Sequence, residues 1–158
     1  MISGFQSNLH KIKSVLLFNF DRRSRFADNL RPFSKMVHKT LEGYEEFKEF
    51  YENIKTGENV NFYFTGNKDE AGVSWCPDCV VAEPHVKAAL EKYSDSDSKF
   101  VVINVGKREF WKDMKNPFRL DTNCKISVIP TLARWKGPQK LEGDQLTKPD
   151  LLEMFFED

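Results

Sequence analysis

The sequence predicts an α/β fold in which helices cover a central β-sheet. The first observation is an alternation of strand-like and helix-like segments that begins after Met36. The second is a pair of short apolar runs, 60–65 and 99–105, which are typical of buried strands and are separated by a longer helical pattern. With 158 residues in all, one domain over 36–158 is long enough to bury a hydrophobic core.

Each element follows from a local pattern. Apolar residues from Leu41 to Ile54 recur at three- and four-residue intervals, which predicts an amphipathic helix that ends at Thr56-Gly57. The later elements are, in order, a strand over 60–65, a polar loop over 66–74, a helix from Cys76 to about Tyr93, a strand over 99–105, a short helix and loop over 108–123, a strand over 131–135, an edge strand over 140–142 and a closing helix over 149–156.

Residues 1–35 differ in composition from the rest of the chain. They carry seven Lys or Arg and two Asp, a net charge of +5, whereas the remainder carries 17 basic and 22 acidic residues, a net of −5. Few apolar residues are available there to offset the entropy of ordering, so a flexible, disordered basic extension is predicted. The segment could instead be a mitochondrial transit peptide, or Met36 could be a second start site. Without a transit function, a cytoplasmic location is expected.

Composition limits the partners of the chain. Lys plus Arg and Asp plus Glu both number 24, so the formal net charge is zero and nucleic acid is not an expected partner. Membrane insertion is not expected either, because no apolar run approaches the roughly 20 residues that cross a bilayer. A monomer is the expected state.

The segment Ser74 to Cys79, "SWCPDC", carries the chemistry. A helix that starts at Cys76 places this thiol where unpaired backbone N–H groups favour a thiolate, and Pro77 suits the first turn. Asp78 opposes ionisation nearby, but the helix terminus is expected to dominate. Cys79, one turn further, faces the same side. Cys76 is therefore the predicted nucleophile and Cys79 the resolving thiol of a dithiol that reduces disulfides.

Different uses of the cysteine pair remain open at this point. A structural zinc site needs four ligands, and Cys124 with one of three scattered histidines would have to complete it, so no metal is expected. The pair could also form a static disulfide, or the domain could be a redox-inert adaptor that only binds a signalling partner. Cys124 is expected to be a buried packing thiol rather than a regulatory one.

Several motifs together resemble the thioredoxin superfamily. They are "WCPDC" at 75–79, Pro84 after it, and Ile129-Pro130-Thr131, which resembles the cis-proline loop opposite the active-site helix. The finer pattern over about 38–158 is similar to the 14-kilodalton class of cytosolic thioredoxin-related proteins, through the pieces "YFTG", "SWCPDCVVAEP", "FWKD", "NPFR", "IPTL", "GPQKL" and "LLEMFFED".

That resemblance implies a thioredoxin-like fold with a mixed sheet of four or five strands. It also implies a disulfide reductase that binds no cofactor and receives electrons from NADPH through thioredoxin reductase, with cystine and selected proteins as substrates and with peroxidase activity through the same dithiol. Trp75 would shield the active site. A cis Pro130 would hold Ile129 extended, so that the Ile129 backbone can pair with a bound substrate strand.

Two departures from ordinary thioredoxins are visible in the sequence. The loop 66–74, with Lys68, Asp69 and Glu70, is long enough to form a charged rim that excludes broad protein surfaces. The strand position of the buried thioredoxin aspartate holds Phe62 or Tyr63 here, which leaves the usual proton route in question. Glu83 remains open as either a solvated helix charge or a proton acceptor for Cys79.

Overall fold

The computed structural model of the chain describes residues 37–157, so the predicted basic extension over 1–35 and the role of Met36 lie outside the described residues. The strands are β1 (Val37–Glu42), β2 (Val60–Thr65), β3 (Lys99–Asn104), β4 (Thr131–Arg134) and β5 (Lys140–Glu142). The helices are α1 (Gly43–Glu52), α2 (Pro77–Tyr93), α3 (Arg108–Lys112), α4 (Pro117–Leu120) and α5 (Pro149–Glu157), with a 3-10 helix at Gly143–Thr147.

The five strands form one mixed sheet in the order β1-β3-β2-β4-β5. The β1–β3 and β3–β2 pairs are parallel, whereas β2–β4 and β4–β5 are antiparallel. The parallel pairs need helical crossovers, which α1 and α2 provide. This arrangement confirms the predicted mixed sheet flanked by helices.

The central strand β2 is buried along its whole length, because helices cover both faces of the sheet. One face packs an aromatic cluster in which the Phe47 ring contacts the rings of Phe62, Phe64 and Phe118. The other face packs against α2 and α5, through residues that include Tyr63, Ala82, Val86, Leu90, Leu132, Leu152 and Phe155. Both cysteines of the CxxC pair belong to the first cluster.

The structure corrects the prediction at the start of the domain. The apolar periodicity places Leu41 in the first helix, but this residue lies in β1, and the helix begins only at Gly43. Gly43 has a φ of +76°, a conformation that favours glycine and ends the strand sharply. The three-residue spacing of Leu41 and Tyr44 matches a helix by coincidence. No helix among residues 37–157 is both long and apolar enough to cross a membrane.

Candidate redox site at the start of helix α2

A disulfide joins Cys76 and Cys79 at the N-terminus of α2. Cys76 is the N-cap residue, and its Sγ accepts a hydrogen bond from the Cys79 backbone N–H at 3.2 Å. Pro77 occupies the first turn of the helix, as predicted, and Asp78 lies exposed beside it. The helix terminus therefore directs a backbone donor at the Cys76 sulfur, which favours negative charge there.

The Ile129-Pro130 segment faces this sulfur. The peptide bond between these two residues is cis, which confirms the expectation. Cys76 Sγ lies 3.9 Å from the Ile129 carbonyl oxygen, although the two residues are 53 positions apart. Within the described residues the Ile129 N–H and carbonyl make no backbone hydrogen bond, so both groups remain available for pairing with another extended chain.

Ser74, to which the sequence assigns no role, positions the backbone of Cys76. Its hydroxyl donates to the Gly66 carbonyl at 2.9 Å and accepts from the Cys76 N–H at 3.3 Å. Gly66 allows the close approach, because a Cβ there would lie 2.9 Å from Trp75 Cε2 and 3.0 Å from Cys76 Cβ. The end of β2 and the start of α2 are thereby packed directly on each other.

Trp75 lies half-buried beside Cys76 and packs against the cluster that contains both cysteines. Its indole Nε1–H donates to the Gly106 carbonyl at 2.9 Å. Gly106 follows β3 and has a φ of +102°, and a Cβ at this position would lie 3.2 Å from Phe110 Cδ1. The Trp75 ring is thus fixed by one hydrogen bond to a segment distant in sequence.

The loop 66–74 is ordered by its own hydrogen bonds. The Asp69 carboxylate accepts from the N–H groups of Ala71 and Val73, each at 2.9 Å, and Lys68 and Ser74 form an isolated antiparallel bridge. Asp69 therefore supports the turn of the loop as well as adding charge to its surface. Glu70 is exposed, as expected for a rim.

The ion pair between Lys68 Nζ and Glu83 Oε1 joins this loop to α2 at 2.5 Å. The sequence leaves Glu83 open as a solvated charge or a proton acceptor; the structure gives it a specific cationic partner. Tyr63 is one of the two residues at the strand position of the thioredoxin aspartate. It is buried on the α2 face of the sheet, and its hydroxyl makes no well-formed hydrogen bond with the described residues 37–157. Burial raises the pKa of Tyr63, and the Glu83 charge raises it further.

Cys124 is a free thiol that takes no part in the Cys76–Cys79 disulfide. Cys124 lies on the segment that follows α4, and its Sγ donates to the carbonyl of Phe118 in α4 at 3.7 Å. Burial, and next the charge of Asp121, raise the pKa of Cys124 to about 11. The thiol is half-buried rather than fully buried as expected, and it packs against the first cluster, so its role as a packing residue stays a prediction. Within residues 37–157 no three His, Cys, Asp or Glu side chains converge as metal ligands would.

Residues that the sequence does not single out complete the surroundings of Trp75. Gly106 N–H donates to Asn67 Oδ1 at 2.6 Å, and Asn67 Nδ2 donates to Glu42 Oε2 at 3.3 Å. These contacts join the end of β1, the loop before α2 and the connection after β3. No local signal marks them, because the partners lie 25 and 39 positions apart.

Comparisons with known proteins agree with this geometry. The family model described as "Thioredoxin domain-containing protein 17-like, thioredoxin domain" matches residues 40–158. Thioredoxin domain-containing protein 17 of Danio rerio is 42% identical over 78% of this chain and 97% of its own length. The Homo sapiens protein of that name is 41% identical over 74% of this chain and 92% of its own length.

Among solved structures, oxidised mitochondrial thioredoxin 3 from Saccharomyces cerevisiae aligns over 80% of this chain and 99% of that chain, with 20% identity and a TM-score of 0.48. The family match covers nearly all of the described domain, including the CxxC pair and the cis-proline segment. On sequence match and sheet topology together, the chain is a member of the thioredoxin domain-containing protein 17-like family and has the thioredoxin fold.

Proposed function

We propose that the protein is a disulfide reductase in which Cys76 is the attacking thiol and Cys79 the resolving thiol. The observation that carries the proposal is the Cys76–Cys79 disulfide at the N-terminus of α2, with Cys76 Sγ facing the Ile129 carbonyl at 3.9 Å. Family membership supports a disulfide oxidoreductase in general. The direction of the reaction and the substrates belong to the proposal.

The reaction is two successive thiol–disulfide exchanges. The Cys76 thiolate attacks one sulfur of the substrate disulfide, forms a mixed disulfide and releases the other substrate sulfur as a thiolate. Cys79 loses its proton and attacks Cys76 Sγ, which releases the second substrate thiol and leaves the Cys76–Cys79 disulfide. The substrate gains two electrons and the enzyme dithiol loses them. The 3.2 Å hydrogen bond from the Cys79 N–H to Cys76 Sγ favours the first thiolate.

Residues around the sulfurs suit the handling of a disulfide substrate. The N–H and carbonyl of Ile129, which make no backbone hydrogen bond among residues 37–157, can pair with an extended substrate chain. Trp75 covers one side of Cys76, while Pro77 and the exposed Asp78 shape the first turn of α2 beside it. The ordered loop 66–74 limits the approach of broad protein surfaces, so small disulfides such as cystine and selected proteins are the proposed substrates.

The proposed electron source is NADPH through thioredoxin reductase, with no cofactor bound to this chain. The same dithiol would also support peroxidase activity. In that reaction the Cys76 thiolate attacks the peroxide, which yields a sulfenic acid and water or an alcohol, and Cys79 then condenses with the sulfenic acid to form the disulfide and water. We propose a cytoplasmic monomer, with a mitochondrial location if residues 1–35 act as a transit peptide.

The proposal is tested by following NADPH consumption with thioredoxin reductase and cystine. Steady oxidation of NADPH that depends on the protein is expected, and the variant Cys79→Ser should stop turnover while accumulating mixed disulfides on Cys76. The Cys124→Ser variant serves as the matched control and should retain the rate. Absence of turnover with cystine and with protein disulfides would refute the reductase, and full turnover by Cys79→Ser would refute the assigned roles.

A further inference from the structure

Asn67 joins three segments of the described chain around Trp75. Its side-chain Oδ1 accepts from the Gly106 N–H at 2.6 Å, and its Nδ2 donates to Glu42 Oε2 at 3.3 Å. The other Glu42 oxygen accepts from Asn104 Nδ2. The single amide side chain therefore connects the ends of β1 and β3 to the loop that leads into α2.

Both hydrogen bonds that hold Trp75 lead back to Asn67. The Trp75 backbone N–H donates to the Asn67 backbone carbonyl at 3.4 Å. The Trp75 indole N–H donates to the carbonyl of Gly106, whose own N–H is bonded to Asn67 Oδ1. Removal of the Asn67 amide would leave the Gly106 N–H without its acceptor and free the segment that carries the indole partner.

Glu42 fixes which way the Asn67 amide points. An amide offers a donor and an acceptor on opposite sides, and the Glu42 carboxylate can only accept. Nδ2 therefore faces Glu42, and Oδ1 faces the Gly106 N–H. The arrangement needs a side chain with one donor and one acceptor at position 67. A side chain that only fills the space in this polar loop would not meet that requirement.

We propose that Asn67 is a positioning residue for disulfide exchange, which acts by holding Trp75 against Cys76. This inference rests on the proposed reductase function. Trp75 adjoins Cys76 in sequence and packs on the cluster that contains both sulfurs. Because the half-buried ring adjoins the sulfur that a substrate disulfide must reach, its position is expected to affect the approach geometry. Small displacements of groups that set such geometry reduce rates substantially.

The first experiment compares Asn67→Ala with the unaltered protein and with Trp75→Phe. Loss of the anchoring hydrogen bonds should lower kcat/KM for cystine by about 3- to 10-fold. The second readout is the change in tryptophan fluorescence when dithiothreitol reduces the Cys76–Cys79 disulfide, because a disulfide quenches an adjacent indole. Trp75→Phe identifies the part of this signal that Trp75 produces, and Asn67→Ala should lose at least about half of that part.

Three further variants separate positioning from a general loss of stability. Asn123→Ala removes an amide that hydrogen-bonds Asp121 in another loop, and it should leave both readouts unchanged. The single variant Asn67→Asp puts two carboxylates together and should impair both readouts. The double variant Glu42→Gln, Asn67→Asp restores one donor and one acceptor with reversed roles, and it should recover most of the rate and of the fluorescence change.

The positioning role of Asn67 can be tested even if one of the variants does not fold. A rate within about twofold and an unchanged Trp75 signal in Asn67→Ala would overturn it. If Asn67→Ala does not fold, the comparison of Asn67→Asp with the double variant Glu42→Gln, Asn67→Asp decides. A double variant with no higher rate and no larger fluorescence change than Asn67→Asp alone would overturn the inference. The fluorescence readout uses a chemical reductant and needs no turnover. If the reductase assay fails or the substrate is wrong, the fluorescence comparison can still be made. Failure of the proposed function is therefore distinguishable from failure of the positioning role of Asn67.

Discussion

Cys76 and Cys124 occupy opposite chemical environments in one small domain. Cys76 is only 5% exposed, and its sulfur accepts a hydrogen bond from a backbone N–H at the start of α2. Cys124 is the more exposed of the two, yet its sulfur donates to the Phe118 carbonyl. Burial and the charge of Asp121 raise the pKa of Cys124 to about 11.

The difference shows that exposure alone does not decide how a thiol behaves, because Cys76 is the less exposed of the two and its sulfur still accepts a hydrogen bond from a backbone N–H. A backbone donor and a helix N-terminus stabilise a thiolate, whereas a carbonyl acceptor and a carboxylate stabilise the thiol. A ranking of cysteines by exposure alone would identify Cys124 as the reactive thiol. The backbone group that faces each sulfur, an N–H at Cys76 and a carbonyl at Cys124, identifies Cys76 as the reactive one instead.

The largest expected effect comes from removing the Cys76 sulfur, and removal of the Cys124 sulfur is the matched comparison. Cys76→Ser should abolish disulfide reduction, because the thiolate proposed to attack the substrate disulfide is lost. Cys124→Ser should retain the rate of the unaltered protein. The measurement is NADPH oxidation with thioredoxin reductase and cystine. Substantial activity in Cys76→Ser, or a strong loss in Cys124→Ser, would reverse the contrast between the two cysteines.

A second prediction compares the two thiols directly in the reduced protein. A pKa of about 11 leaves Cys124 almost entirely as the unreactive thiol at pH 7. Iodoacetamide should therefore label Cys76 at least about 10-fold faster than Cys124, and peptide mass spectrometry over a time course measures both rates. Labelling at equal rates in the folded protein would contradict the assigned environments. Equal labelling after denaturation serves as the control.

A third prediction alters the environment of Cys124 alone. Asp121→Asn removes a nearby negative charge, so the pKa of Cys124 should fall and its alkylation should quicken by about two- to fivefold. Cys124 should still react more slowly than Cys76, since burial is the larger cause of the raised pKa. The same labelling time course measures the change. An unchanged Cys124 rate would show that the carboxylate contributes nothing.

The smallest effect concerns stability in acid. Burial alone would raise the pKa of Asp121, but hydrogen bonds from the Asn123 backbone and from the hydroxyls of Tyr44 and Tyr51 outweigh burial and hold that pKa below its ordinary value of 3.8. The folded state thus binds this proton less readily than the unfolded state. The resulting stabilisation is present above about pH 4 and is lost as the pH falls through the lower, folded-state pKa.

Asp121→Asn should therefore lower the free energy of unfolding by about 1 kcal/mol at pH 7, with allowance for the partial exposure of this carboxylate. Urea denaturation at a series of pH values measures the difference from the unaltered protein. The difference should shrink as the pH drops below 3.8. A difference that stays constant from about pH 7 to about pH 2 would exclude the carboxylate charge as its origin.

Local patterns are sufficient to predict the buried strands and the active-site helix. The 60–65 and 140–142 strands have the predicted bounds, and α2 follows Cys76 as its N-cap. These elements carry their signals within a few residues, such as the aromatic strand formers of 60–65 and the proline in the first helical turn. The two cysteines and Pro130 are placed at one site through their resemblance to known motifs.

What could not be predicted depends on contacts between distant segments. Strand β1 exists because it pairs with β3, some 60 residues further along the chain, and the helix-like spacing of Leu41 and Tyr44 hides the break at Gly43 between strand and helix. Asn67 has the pattern of an ordinary loop asparagine, and its bonds to Glu42 and the Gly106 N–H appear only once the sheet has formed. The ion pair of Lys68 with Glu83 is hidden in the same way, since charged residues are common on loops and helices.

Gly66 restricts which sequences this domain can explore. Its missing Cβ leaves room for atoms of Ser74, Trp75 and Cys76, which would otherwise lie within about 3 Å of it. A smaller residue at position 75 would remove only one of these three contacts, and the Ser74 hydroxyl and the Cys76 Cβ would still crowd a side chain at position 66. Any residue larger than glycine there requires the start of α2, which carries Cys76, to move away from the end of β2. A glycine with no part in the chemistry thus limits which neighbouring substitutions the domain can accept.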